Sequence, residues 1–439
     1  MEDRGTSAGS ALEGTAVKIL QINKLYHPVV GGIETIVRQT AEGINNTGGF
    51  TVDVLVCNDR FKTTTGTIRG VFVTRASSIG KFYSMPVSIR FISLLKKMWR
   101  RYDVLHVHLP FPLGELALWL IKPKTRIVVT YHSDIVRQRL ISSALSWLHT
   151  WVLGHAESIA VSNPNIIESS QLLKNFKTKC TVIPFGVDTN RFNPPTYPPD
   201  GYPAPLEKTN PSYPPLEKAN PSYPPLEKGG EGGFEVSFPP FSKELRNAKE
   251  RIERIQGDYG KRIVLFVGRL VYYKGVEYLI RAMKGIDARL VIIGEGPLKQ
   301  KLLDEVRDNG LVPAVTFLPY QPQDELADYY RAASVFVLPS IYKSEAFGIT
   351  IIEAMACGLP VISTELGTGT SYANQDGRTG FVVPPRDTDA IHGALIRLLS
   401  DTAVLSKMGR AAAERVRTEF TMERMLNGYK KLYTNMHDE

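Results

Sequence analysis

The sequence predicts an α/β protein made of two doubly wound domains, and three observations lead there. Short, nearly continuous Val/Ile/Leu runs alternate with longer amphipathic stretches, the pattern of a parallel sheet covered by helices on both faces. The alternation runs through once before residue 190 and restarts after residue 260. The length of 439 residues suits two domains at roughly 100–200 residues each.

Taken in order, the first set of expected strands is VKILQIN (17–23), TVDVLVCN (51–58), VLHVHL (104–109), RIVVTYH (126–132), SIAVS (158–162) and CTVIPF (180–185), with helical stretches such as 33–46 and 86–102 between them. The second set is RIVLFVG (262–268), ARLVIIG (288–294), AVTFLP (314–319), ASVFVLP (333–339), LPVIST (359–364) and GFVVP (380–384). Residues 1–15 are small and polar and are expected to be disordered. Residues 193–242 contain a direct repeat, YPAPLEKTNPS, YPPLEKANPS, YPPLEKGGEG, each unit with one Leu and one Tyr among prolines. Such a unit buries too little apolar surface to offset chain entropy, so this insert reads as disordered or polyproline-like, and closing a longer loop costs little. The stretch FSKELRNAKERIERIQ (241–256) reads as a charged helix leading into the second domain. The expected organisation is a tail at 1–15, a first domain at 16–192, the insert at 193–242, a second domain at 243–418 and a final segment at 419–439.

Composition narrows the function. With 43% hydrophobic and 22% charged residues, the chain is neither globally disordered, collagenous nor a coiled coil. No run of 18 apolar residues marks a membrane span, and the N-terminal residues lack the apolar core of a signal peptide. Three cysteines argue against a disulfide framework; Cys57, Cys180 and Cys357 are expected as small buried hydrophobes in a reduced, cytoplasmic setting. The net charge of +9 is uneven: residues 1–192 hold 23 Lys/Arg against 13 Asp/Glu, and residues 259–418 hold 19 against 17. The basic first half suggests an anionic partner. Nucleic acid is not expected, because no helix-turn-helix, RNA-binding signature or zinc finger occurs. The segment MPVSIRFISLLKKMWRRYD (85–103) reads either as a basic amphipathic helix at a membrane surface or as an ordinary helix packing its apolar face on the sheet, and ALSWLHTWVL (144–153) is similarly ambiguous.

The richest motif is PSIYKSEAFGITIIEAMACGLPVIST (339–364). A strand ends at Pro339, a loop carries Glu345, and Ala346-Phe347-Gly348 leads into a helix that holds Ile349, Thr350 and Glu353. In one unbroken helix the two glutamates would lie about 12 Å apart at 1.5 Å per residue. With Glu345 in the loop, the open N–H groups of a helix start lie between two carboxylates, an arrangement suited to sugar hydroxyls, a diphosphate and a ribose. In FVGRLVYYKG (266–275) a strand ends at Val267-Gly268, and Arg269 and Lys274 follow at the sheet's carboxyl edge, where cations suit a diphosphate. VIIGEGPLK (291–299) adds a tight turn at Gly294 and Gly296 without the spacing of a dinucleotide fingerprint. In the first domain, HPVVGGIET (27–35) places Gly31 and Gly32 where backbone can approach a ligand, and YHSDIV (131–136) places His132 and Asp134 just past a strand.

Together GGIE, YHSD, IPFGVDTNRF (183–192), VGRL-x3-KG, GEGP and SEAFG-x4-EAMACGLPVI, in this order, resemble the retaining family-4 glycosyltransferases of the GT-B fold. The resemblance spans about residues 16–192 and 259–435. It implies two Rossmann-like domains facing across a cleft, the first for the acceptor and the second for the donor, with the last helices crossing back to the first domain. It implies that Arg269 and Lys274 bind the donor diphosphate, and that Glu345 holds the hexose with backbone at Ala346, Phe347 and Gly348. Ile349 and Thr350 would offer N–H groups to phosphate, Glu353 would hold the ribose, and His132 would contact the hexose. Gly31 and Gly32 would lie near the phosphates, Gly268, Gly294 and Gly296 on the donor side and Asp134 on the acceptor side. The donor is a nucleoside diphosphate sugar such as GDP-mannose or a UDP-sugar, and no metal or other cofactor is implied. Retention would follow front-face attack, with the leaving phosphate taking the acceptor's proton. The loop ELGTGTSYANQDGRTGFVVPP (365–385) has GTGTSY where many relatives carry Gly-Gly, similar to transferases that build O-antigen and other surface polysaccharides, several of them mannosyltransferases. A lipid-linked or glycan acceptor and peripheral association with the cytoplasmic face of the inner membrane are the implied partners.

Two motifs point elsewhere and are read as structural. Asp387-Thr388-Asp389 has a metal-binding D-x-D form but precedes AIHGALIRLL, so helix capping is expected. His106 and His108 alternate at strand period and point to one side, without the further ligands a zinc site needs. The rival readings are a GT-B phosphorylase and a non-catalytic membrane-associated scaffold.

Overall fold

The computed structural model describes residues 16–29, 31–82, 85–134, 139–195 and 248–434. The chain forms two compact units. One takes the chain up to Phe185 and again from Glu423; the other is Gly186–Met422.

The first unit begins with β1 (Val17–Ile22), α1 (Gly32–Asn45), β2 (Phe50–Cys57), β3 (Thr64–Ile68) and β4 (Val71–Ala76). A short hairpin follows, β5 (Lys81–Phe82) with β6 (Met85–Pro86), then α2 (Ile89–Met98), β7 (Val104–Leu109), α3 (Pro112–Ile121), β8 (Arg126–Tyr131), α4 (Arg139–His155), β9 (Ser158–Val161), α5 (Pro164–Ser169) and β10 (Cys180–Val182). The main sheet has the order β10-β9-β8-β7-β1-β2-β4-β3. All its pairings are parallel except β3 with β4, which run antiparallel from Ile68↔Val71 through a two-residue turn. Arg69 and Gly70 both have positive φ there (47° and 84°), the conformation that a tight hairpin turn of right-handed twist demands. This hairpin is absent from the sequence-based expectation, because Arg-Gly is a weaker turn signal than Asn-Gly.

The strands are buried Val/Ile/Leu runs because helices cover both faces. Leu20, Ile22, Leu55, Val107 and Val129 join Phe91 and Leu95 of α2 and Phe111 in one core, each worth about 1.5–3 kcal/mol on burial. Of the two readings of residues 85–103, the packing on the sheet holds for the Phe91–Leu95 face of α2, and Ser88 caps the helix by accepting the Phe91 N–H at 3.0 Å. In α4 likewise, Leu148, Val152 and Leu153 are buried.

The second unit contains α6 (Ala248–Tyr259), β11 (Ile263–Val267), α7 (Val276–Ala282), β12 (Arg289–Ile293), α8 (Lys299–Asp308), β13 (Val315–Leu318), α9 (Gln323–Ala332), β14 (Val335–Leu338), α10 (Ile349–Ala356), β15 (Val361–Thr364), α11 (Gly369–Ala373), β16 (Gly380–Val383), α12 (Thr388–Ser400) and α13 (Thr402–Glu419). Its sheet, β13-β12-β11-β14-β15-β16, is wholly parallel. The order reverses between β11 and β14, as it does between β1 and β7 in the first unit; ligands bind at such switch points, outside the carboxyl ends of the strands. Asp387 caps α12 by accepting the Ala390 N–H at 2.9 Å, so the first aspartate of the D-x-D motif serves the helix.

The unit boundaries differ from the expected 192 and 419. IPFGVDTNRF is divided after Phe185, because Val187 hydrogen-bonds to Phe420 and Met422, and Phe192 packs edge-on against Tyr330, all in the second unit. Gly186 permits this pairing, since a Cβ there would lie 2.5 Å from the Thr421 carbonyl oxygen. The final helix, α14 (Met422–Thr434), returns to the first unit. The expected tail at 1–15 and the repeat beyond residue 195 lie outside the described residues. The charged helix is described from Ala248, where Ile252 and Ile255 are buried and Arg251 pairs with Asp328 of α9. Cys57 and Cys357 are buried and Cys180 half-buried, all as free thiols. Among the described residues no helix is long and apolar enough to cross a membrane.

Candidate active site

In the second unit the site begins with a glycine. After β11 the chain makes a single 3₁₀ turn, Tyr272–Lys274, and reaches Gly275 at φ +62°. A Cβ on Gly275 would sit 2.3 Å from the Pro339 carbonyl oxygen, so only glycine lets this loop lie against the end of β14. The Ile341 N–H donates to the Tyr273 carbonyl at 2.8 Å and locks the two loops together. As a result Lys274 Nζ lies 2.5 Å from Glu345 Oε2, both side chains about 10% exposed. The Ser340 hydroxyl donates to the same oxygen at 3.0 Å.

The Glu345 loop is braced from the next strand. The Thr368 hydroxyl donates to the Glu345 carbonyl at 2.8 Å, and the Gly369 N–H donates to the Ala346 carbonyl at 2.8 Å. Gly369 has to be small, because its Cβ would lie 2.6 Å from the Phe347 Cα. Phe347 is buried edge-on against Phe420. Gly348, at φ +80°, turns the chain into α10, so that Ile349 and Thr350 open the helix with N–H groups that lack intrahelical acceptors. Glu353, one turn further on, is buried and accepts the Tyr330 hydroxyl at 3.0 Å. Burial pushes its carboxyl up to about 7, against the opposing influence of that hydroxyl and of Arg191.

The other donor-side residues divide by exposure and packing. Lys274 is buried, whereas Arg269 projects into solvent. A Cβ on Gly294 would come 2.0 Å from the Gly268 carbonyl oxygen, and one on Gly296 2.3 Å from that of Leu270. These two glycines let the β12 loop pack backbone-to-backbone on the loop that carries Arg269. Gly268 itself, at φ +159°, leaves room for Lys274, whose Nζ would lie 3.5 Å from a Cβ there.

The first unit presents a different chemistry. His106 and His108 of β7 stand on one side of the strand with ring centroids 4.4 Å apart. His132, just past β8, stacks on His108 at 5.3 Å, with 3.1 Å between His108 Nδ1 and His132 Nε2. Behind them the Tyr433 hydroxyl of α14 lies 2.7 Å from His106 Nδ1, and Thr130 links His106 Nε2 (2.7 Å) to the Tyr429 hydroxyl (3.1 Å). Burial drives His106 and His132 down to about 3, and His108 lower than its ordinary value too, so all three rings are neutral at pH 7. Among the described residues no cluster of three or more His, Cys, Asp or Glu forms a metal site. Asp134 accepts hydrogen bonds from Tyr131 and, at 2.7 Å, from Ser170. It ties the β8 loop to the end of α5. Gly31 caps α1 in an extended conformation, where a Cβ would come 2.3 Å from Glu34 Oε2, and Gly32 opens the helix.

The structure therefore gathers Lys274, Glu345, Ala346, Phe347, Gly348, Ile349, Thr350 and Gly268 around one switch point, with Glu353 behind it in α10. It places His132, Gly31 and Gly32 on the carboxyl edge of the other sheet. Sequence reasoning missed Ser340, Thr368, Gly369, Tyr330, Tyr429 and Tyr433. Only Thr368 and Gly369 had a signal, their place in the GTGTSY loop.

Two doubly wound Rossmann-like units, one with a Lys–Glu pair at its switch point beside a helix start, define a GT-B glycosyltransferase. Residues 248–415 match the model of glycosyl transferases group 1, and residues 30–191 that of glycosyltransferase family 4. The chain belongs to this glycosyltransferase family. It is 30% identical over 408 residues to the D-rhamnosyltransferase WbpZ of Pseudomonas aeruginosa, covering 92% of each chain. It is 28% identical to the O-antigen chain mannosyltransferase C of Escherichia coli over 421 residues, 96% of this chain and 99% of the relative. A sucrose-phosphate synthase from Thermosynechococcus elongatus shares the fold, with a TM-score of 0.71 at 22% identity over 96% of this chain and 99% of that one.

Proposed function

We propose that the protein is a retaining, metal-independent hexosyltransferase. It moves a hexose from a nucleoside diphosphate sugar, GDP-mannose or a UDP-sugar, to a lipid-linked or polysaccharide acceptor in the synthesis of O-antigen or a related surface glycan. The observation that carries the reading is the Lys274–Glu345 pair at the switch point, beside the open N–H groups of α10. The full-length similarity to an O-antigen mannosyltransferase and to a rhamnosyltransferase supports the choice of sugar and acceptor class.

In this reading the donor's phosphates replace Glu345 as the partner of Lys274 and take up the N–H groups of Ile349 and Thr350, with Arg269 closing from solvent. Glu345, held by Ser340, accepts from hexose hydroxyls, and Glu353 accepts from the ribose. The acceptor oxygen bonds to the anomeric carbon on the face that the phosphate leaves. The C–O bond to the diphosphate breaks, and the acceptor's proton passes to the departing phosphate oxygen. Lys274, Arg269 and the helix start stabilise the charge that develops there; such preorganised electrostatics need no reorganisation at the moment of reaction. His132, whose ring is uncharged at pH 7, acts as a neutral hydrogen-bonding contact to the hexose rather than as an imidazolium acid. The protein is proposed to work at the cytoplasmic face of the membrane, peripherally bound.

The test is nucleotide release from a panel of UDP-, GDP-, ADP- and dTDP-sugars, with and without EDTA, with anomeric configuration read by NMR on the product. Slow release from one donor, unchanged by EDTA, is expected. Release that EDTA abolishes would overturn the metal-free reading. An inverted product would overturn front-face attack.

A further inference from the structure

The three most exposed large apolar side chains among the described residues are Phe61 (82%), Ile89 (74%) and Ile79 (64%). They come from three separate segments: the loop after β2, the start of α2 and the loop after β4. Backbone hydrogen bonds hold these segments together. The Ser78 N–H donates to the Arg60 carbonyl at 3.0 Å, the Ile79 N–H to the Val87 carbonyl at 2.9 Å, and the Val87 N–H to the Gly80 carbonyl at 3.0 Å. The Ser88 hydroxyl donates to the Ser77 carbonyl at 2.6 Å. Val87, itself 39% exposed, completes the group. A fixed cluster of large apolar side chains in water is costly unless something covers it.

The charges around the cluster indicate what covers it. Arg60, Lys62 and Arg90 are exposed at its border; Asp59, beside Arg60 at 4.0 Å, is also exposed. Helical periodicity puts Lys96 on the same outer stripe of α2 as Ile89, and Lys97 beside it on the stripe of Arg90; all four are exposed. Apolar tips within a field of Lys and Arg suit an anionic bilayer, where apolar insertion and headgroup attraction add.

We infer that Phe61, Ile79, Val87 and Ile89 dock the protein on an anionic lipid bilayer, so that the acceptor is presented from the membrane rather than as a free glycan. The second clause rests on the transferase reading and on topology. β2, β4, β1, β7 and β8 are mutually parallel, so the docking loops share a sheet edge with the Gly31 loop and His132. Arg75 of β4 reaches the His27 carbonyl at 2.6 Å and links that edge directly to the β1–α1 loop. His132 follows β8, three strands from β2, or about 14 Å at about 4.8 Å per strand. That distance is within reach of a sugar carried on a membrane lipid. This surface differs from the one that the sequence of residues 85–103 suggests, because the Phe91–Leu95 face of α2 is buried in the core.

The experiment is co-sedimentation of the full chain with vesicles of about three parts phosphatidylcholine to one part phosphatidylglycerol, and with pure phosphatidylcholine, at low and at high salt. Wild type is expected to bind the anionic vesicles and to release partly as salt shortens the Debye length to about 3 Å near 1 M. F61S/I79S/I89S is expected to lose at least about tenfold in partitioning, because each large side chain removed takes apolar insertion energy with it. Nucleotide release in the absence of vesicles should be equal in both proteins. Wild type that ignores anionic vesicles overturns the inference, as does a triple variant that binds like wild type. So does a wild-type dimer that the triple variant dissolves while neither protein binds vesicles, since a second copy would then be the occupant. Failure of nucleotide release in wild type, with vesicle binding intact, counts against the transferase reading and leaves the docking surface standing.

Discussion

At the switch point of the second unit, a lysine and a glutamate meet as opposite charges 2.5 Å apart. At that of the first unit, two histidines of β7 and one following β8 lie ring against ring in a buried, neutral column. The two sheets share a plan and differ in what their carboxyl edges hold. The charged edge keeps its cation paired with a carboxylate, and in the proposed reaction a phosphate takes that carboxylate's place. The neutral edge keeps its polarity as hydrogen bonds, because desolvation without a counter-charge would make an imidazolium expensive. One topology therefore supplies both an electrostatic and an uncharged polar surface, and the choice depends on whether an opposite charge is brought within reach.

The sharpest way to break this comparison is to remove half of the charged pair. Lys274→Ala and Glu345→Ala should each lower turnover by about 10²–10³, the usual loss for one preorganised electrostatic group. Each should also lower the melting temperature, since the remaining charge is left mostly buried and unpaired. Lys274→Met combined with Glu345→Gln should recover stability without turnover. Turnover near wild type in either folded single variant would remove the pair from the mechanism.

Next in size is Gly275→Ala. Its Cβ meets the Pro339 carbonyl at a backbone angle of φ +62°, and strain of this kind costs about 1–3 kcal/mol. Thermal melts should show the loss, and hydrogen exchange should place it in the second unit. Unchanged stability would mean that the loop can shift without disturbing Lys274.

The two units should also respond oppositely to pH. His106 and His132 have folded values near 3 against an ordinary 6.5, so the unfolded chain binds protons first and the first unit loses stability as pH falls below about 6.5. Glu353 is raised from 4.5 to about 7, so its contribution is best at low pH and declines as pH rises from about 4.5 through about 7. Hydrogen exchange at pH 5 and pH 8 should show β7 and β8 better protected at the higher pH and α10 at the lower. Glu353→Gln should flatten the α10 response, and an α10 response that survives this substitution would exclude Glu353 as its source.

The smallest effect is expected from Tyr433→Phe, which removes the hydroxyl beside His106 Nδ1 and should cost about 1 kcal/mol. Donor hydrolysis should be unaffected, because the change supports the neutral column alone. A large loss of hydrolysis would mean that α14 does more than hold the histidines in place.

The core strands of both units stand out in the sequence to within a residue or two at each end, apart from β10. Buried parallel strands are runs of β-branched and aliphatic residues bounded by glycine and proline, and this local pattern survives any tertiary arrangement. The antiparallel β3–β4 hairpin at the sheet's edge does not stand out. Its β3 strand, TTGTI, is largely exposed and polar, and β4, VFVTRA, is mostly buried but carries an apolar run of only three residues. In the site, Lys274, Glu345, Gly348 and Glu353 are legible because their loops carry motif spacing. Ser340, Thr368 and Tyr330 are ordinary residues until the chain folds. The Tyr433–His106 contact joins residues 327 positions apart, beyond any local pattern.

The sequence by itself determined the two parallel sheets, the glycines that turn their loops and the residue types at the second unit's switch point, since each depends on short-range periodicity or backbone conformation. Only the tertiary structure decided that Lys274 pairs with Glu345 and that α2 turns its apolar face inward. It also decided that backbone hydrogen bonds join the segments of Phe61, Ile79 and Ile89 and that the chain changes units at Phe185. Those outcomes depend on which distant segments exclude water from one another, and that is settled by the packing of the whole sheet.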